Sequence, residues 1–96
     1  MNVLEEAQNI TSGDRHKDYG DAAQNWRCTS RLITALIANI RDIRGPDARL
    51  SDSDGLMIMV LVKLAREQFR HKRDNIVDMC GYARLISVVA GDEAET

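Results

Sequence analysis

Four ionisable residues in the second half of the chain are spaced so that they could act together. At 100° per residue Lys63 and Arg66 share one helical face with Glu67 and Arg70, while Asp74 and Asp78, four apart, share another; His71-Lys72-Arg73 joins the two segments. Folded as an antiparallel hairpin, the two segments bring Lys63 and Arg66 within reach of Asp74 and Asp78. One outcome is a lattice of ion pairs that closes the hairpin, each exposed pair contributing about 0 to 1 kcal/mol. The other is a pocket for a charged ligand or metal ion, because charges set between apolar stripes are expensive to desolvate unless something charged meets them. Spacing leaves both open.

A second group lies in Arg15-His16-Lys17-Asp18-Tyr19-Gly20. Arg15 and Lys17 could grip phosphate oxygens, helped by the free amides at a following helix start, with Tyr19 or Trp26 supporting a base. The competing reading is a solvated loop with Tyr19 as a plug of the core. His16 and His71 are lone histidines, expected at the surface, and Trp26 sits on an apolar stripe and is expected in the core.

These residues need helices to hold them. Val3, Leu4, Ala7 and Ile10 predict a short amphipathic helix over 3–10, ended by Gly13. Asp21 is placed to cap a long second helix from Ala22 to about Ile43, whose apolar positions Trp26, Thr29, Ile33, Leu36, Ile40 and Ile43 recur at steps of three and four. Gly45-Pro46 stops it. Ser51-Asp52-Ser53-Asp54 starts a third helix running to about Phe69, and a fourth extends from about Asp74 to Ala90. The segment from Leu56 to Val62 is apolar all round and too short to span a membrane, so it is expected to be covered on every side. Leu85, Val88 and Val89 make the other side of the fourth helix apolar too. Both features predict self-association, with the second helix and the latter half of the fourth as the interface.

Composition agrees with an all-α chain: among 96 residues there are six Gly, one Pro and four aromatic side chains. The length predicts one domain over 1–96, with an acidic tail from Gly91 that frays. A net charge of -2 built from both signs provides no basic field for duplex nucleic acid. Cys28 and Cys80, far apart and without ligand spacing, are read as small core residues of a reducing compartment. The start of the chain has no signal-peptide pattern and no run is long enough to span a bilayer, so a cytoplasmic location is expected.

Taken together, Leu4-Glu5-Glu6-Ala7, Gly13-Asp14-Arg15, Asp18-Tyr19-Gly20-Asp21, Asn25-Trp26, Lys63-Leu64-Ala65-Arg66, Asp74-Asn75-Ile76-Val77-Asp78 and Gly81-Tyr82-Ala83 resemble, in order and spacing, a phage and prophage domain family of unknown function. More distantly the same string is similar to phage nucleotide-modification-associated domains and to MazG-type nucleotide pyrophosphohydrolases. That likeness implies an all-helical oligomer handling nucleotides and, for the MazG type, magnesium-dependent hydrolysis of nucleoside triphosphates. The chain departs from the MazG pattern in having no ExxE pair ahead of Asp74 and Asp78.

Three functions follow as expectations. The first is a phosphate-bearing nucleotide held without catalysis by Arg15, Lys17, Tyr19, Lys63 and Arg66, with no resident cofactor. The second is a hydrolase in which Asp74 and Asp78 hold magnesium, Lys63 neutralises the leaving phosphate, and a further carboxylate such as Asp54 or Glu67 joins them. The third is a structural or partner-binding oligomer in which every pair is a salt bridge.

Overall fold

The structure is a computed structural model and describes residues 2–12 and 21–95. Among the described residues it contains four α-helices and no strand: α1 Val3–Thr11, α2 Ala22–Arg44, α3 Asp52–Phe69 and α4 Arg73–Val89. No helix among the described residues is long and apolar enough to cross a membrane.

Each of the first three helices begins where its sequence provides a cap. The Asn2 side chain accepts from the Glu5 amide at 2.9 Å, and Asp21 accepts from the Gln24 amide at 2.8 Å. At α3 the Ser51 hydroxyl accepts from the Asp54 amide at 3.1 Å, while the Asp54 carboxylate accepts from the Ser51 amide at 2.8 Å, a reciprocal capping box. The α2 helix ends at Gly45, whose φ of 113° is one that side-chain-bearing residues rarely adopt, and Pro46 then prevents continuation.

The middle element is α3, packed on α2 along one side and on α4 along another. That position explains the apolar run from Leu56 to Val62, although those side chains are half-buried and not covered all round. Two neighbours cannot enclose a helix, and the described residues leave its remaining side open. The apolar core is correspondingly thin: among the described residues only Ile40 and Ala65 are buried hydrophobics. Four polar residues, Asn25, Thr29, Asp54 and Asn75, are buried as deeply.

Several expected core residues lie elsewhere. Trp26 is 54% exposed and Ile43 79% exposed, and among the described residues no element packs over that side of α2. Cys28 is half-buried and Cys80 exposed, so neither is a core residue of the single chain. Val3, Leu4 and Ile10 are exposed on α1.

Candidate functional site

The α3–α4 hairpin forms as its charge pattern requires. Lys63 Nζ lies 2.8 Å from Asp78 Oδ2, joining the C-terminal half of α3 to the N-terminal half of α4. The side chain of Lys63 is only 15% exposed, while that of Asp78 is 44% exposed, so the cation is the more withdrawn partner. Arg66 is half-buried one turn further along α3, and Asp74 is exposed in the first turn of α4. The structure thus joins Lys63 with Asp78 and leaves Asp74 facing outward.

Glu67 closes the turn between the helices. Its Oε1 accepts from the Lys72 amide at 3.0 Å and from Asn75 Nδ2 at 3.1 Å, and its Oε2 meets His71 Nδ1. Lys72, the residue capping α4, makes no side-chain cap of its own, so this carboxylate from α3 fixes the start of α4 instead. The His71 ring, then the Lys72 amide and the Asn75 side chain, hold the Glu67 carboxyl down at about 2. Asn75 is buried at this junction, and its role follows from packing that a residue pattern does not display.

Asp54 is also committed elsewhere. Arg44 Nη1 and Nη2 reach its two carboxylate oxygens at 2.6 and 2.9 Å, tying the end of α2 to the start of α3. Arg44, followed by the Ser51 amide, lowers its carboxyl to about 2. Asp54 and Glu67, expected to join Asp74 and Asp78 around magnesium, are each engaged at a different helix end. Among the described residues no three His, Cys, Asp or Glu side chains are grouped so as to hold a metal ion. The Arg44–Asp54 pair was not foreseen; the Ser51-to-Asp54 spacing signalled the cap but not the partner across the loop.

Arg15, Lys17 and Tyr19, the loop half of the expected site, lie outside the described residues. The helix that follows them contributes an unexpected group. Asn25, in the first turns of α2, is 8% exposed, and its Nδ2 has no hydrogen-bond partner among the described residues. Thr29, one turn later, returns its hydroxyl to the Asn25 carbonyl at 2.9 Å. A buried amide donor left open is unusual, since most such groups are paired.

Comparison with known proteins places these features in a family. Residues 2–90 match a family described as a domain of unknown function, DUF6378. The Gene 55 protein of Mycobacterium phage D29 is 30% identical over 94 residues, which cover 97% of this chain and 56% of that protein. The Gene 55 protein of Mycobacterium phage L5 is 31% identical over 96 residues, covering 99% of this chain and 56% of that protein. The chain therefore spans little more than half the length of these curated relatives. No solved structure matches. The chain belongs to the DUF6378 family.

Proposed function

We propose that this member of the family binds a phosphate-bearing nucleotide as a homo-oligomer, acting as a binding protein and not as a hydrolase. The observation that carries the reading is the withdrawn Lys63 ammonium, held at 2.8 Å by an Asp78 carboxylate that is itself half open to solvent. A carboxylate in that position fixes the direction of the ammonium and leaves its remaining donors for phosphate oxygens. Arg66 extends the cationic face, and Arg15, Lys17 and Tyr19 supply the second half of the grip from the segment before α2. Asn25 Nδ2, without a hydrogen-bond partner among the described residues, adds a neutral donor near the start of α2.

Binding is favoured over magnesium-dependent hydrolysis because three of the four carboxylates expected at the metal are already engaged and Asp74, the fourth, faces outward. Asp54 is tied to Arg44, Glu67 to the turn and Asp78 to Lys63. The structural reading retains one supporting observation, the large exposed apolar surface, which bears on assembly and is compatible with a ligand site.

Thermal melting with a panel of nucleoside mono-, di- and triphosphates, with and without magnesium, tests the proposal while product formation is followed in parallel. At least one nucleotide raises the melting temperature without being consumed, and Lys63→Ala and Arg15→Ala each abolish that rise while leaving the helical fold. If both variants respond to every nucleotide as the parent does, the nucleotide reading is wrong and the structural one replaces it.

A further inference from the structure

Along the outer side of α4 runs an open groove of about 460 Å³, lined by Val77, Asp78, Gly81, Tyr82, Arg84 and Leu85. Val77, Leu85 and Gly81 are exposed, and a side chain built at Gly81 would meet nothing within 4 Å. Glycine is the poorest helix former after proline, and nothing among the described residues requires one in the middle of α4. A helical glycine with free space above it lets another backbone approach closely. Gly81 is thus suited to close approach by a second backbone.

The groove is also complementary to itself. If a second copy crosses α4 antiparallel with the twofold axis at Gly81, a residue four before it faces the partner residue four after it, and likewise for three. Val77 then meets the partner's Leu85, and Asp78 meets the partner's Arg84, each contact occurring twice. An apolar pair and an opposite-charge pair arise from one operation. Arg84 is equipped for this: within the chain its Nε lies 3.0 Å from Glu93 and its Nη2 donates to the carbonyls of Ala94 and Glu95, which leaves Nη1 for a partner carboxylate.

We infer that two copies pair through α4, antiparallel and crossing at Gly81, so that the partner's Arg84 completes the Lys63–Asp78 site. The inference rests on the oligomeric part of the reading above and specifies its surface. It moves the centre of the interface from Val88 and Val89 to the middle of α4. It also makes assembly part of ligand recognition, because the second guanidinium offsets the Asp78 charge and leaves the Lys63 donors for the phosphate.

The test uses the whole chain with Cys28 and Cys80 changed to Ser. Gly81→Cys, lying on the axis, meets its own copy and cross-links into a dimer under mild oxidation, whereas Ala83→Cys, on another side of α4, does not. In the wild-type background Asp78→Arg and Arg84→Asp each sediment as a smaller species alone, and a mixture of the two regains the assembled form because both charge contacts are restored across one interface. If the wild-type chain sediments as an oligomer but position 81 cross-links no better than 83, or the mixture does not recover, the α4 crossing is wrong while assembly stands. A wild-type chain that sediments as a monomer overturns both. Circular dichroism of each variant separates lost assembly from lost folding.

Discussion

Asp54 and Glu67 show how a carboxylate can be used up by architecture. Each is held at about 2, the first mainly by Arg44 and the second mainly by His71, and each sits where one helix gives way to the next. A carboxyl whose folded value lies below its ordinary value of 3.8 or 4.5 favours the fold once ionised, so the contribution is complete above that ordinary value and disappears as the pH falls toward 2. The melting temperature should therefore drop between about pH 5 and pH 2, and Asp54→Asn should melt lower than the parent at pH 7 with a shallower acid slope; superimposable slopes would show that Asp54 does not carry it. The hairpin pair of Lys63 with Asp78 was legible in the residues because i, i+4 spacing and a short link constrain which faces meet. The Arg44 pairing was not, since it depends on the path of residues 45–51, and neither was the exposure of Trp26, which periodicity places on a stripe without saying whether anything covers it.

At the scale of elements, helix boundaries followed from local chemistry. The side chains of Asn2, Asp21 and Ser51, together with Gly45-Pro46, set starts and stops wherever they fall, and the observed helices agree with those signals to within a few residues. The start of α4 is the exception, held by Glu67 from the preceding helix and so invisible to a local reading. What the pattern could not supply was which helices touch. An apolar run such as Leu56 to Val62 says that a helix wants neighbours, not how many it has, and among the described residues α3 packs mainly on two. Ala65, wholly buried on α3, marks where that packing is tightest. Replacing it with Leu should destabilise the fold by about 1 to 3 kcal/mol, because a close-packed position cannot take extra methylenes without moving a helix. Urea unfolding would measure this, and an unchanged midpoint would mean that the space beside α3 is looser than its burial implies.

For the whole molecule the decisive quantity is surface. A folded monomer of 10.8 kDa exposes about 5,500 Å². This chain exposes 6941 Å², and its radius of gyration is 15.8 Å; a compact domain of this length has about 12.5 Å. The surplus of about 1,400 Å² exceeds the roughly 800 Å² that one partner contributes to a standard interface. Among the described residues Ile40 and Ala65 are the buried hydrophobics, while Val3, Leu4, Ile10, Trp26 and Ile43 stay more than half exposed. If the chain pairs as proposed, folding is coupled to assembly, and melting becomes a property of the solution as much as of the sequence. The melting temperature should climb steadily as the chain is concentrated from the nanomolar to the high micromolar range, whereas a self-sufficient monomer would melt at one temperature throughout. Under that pairing a scarce chain would be less stable and more open to proteolysis than an abundant one, because copies cover one another's apolar surface only when enough are present.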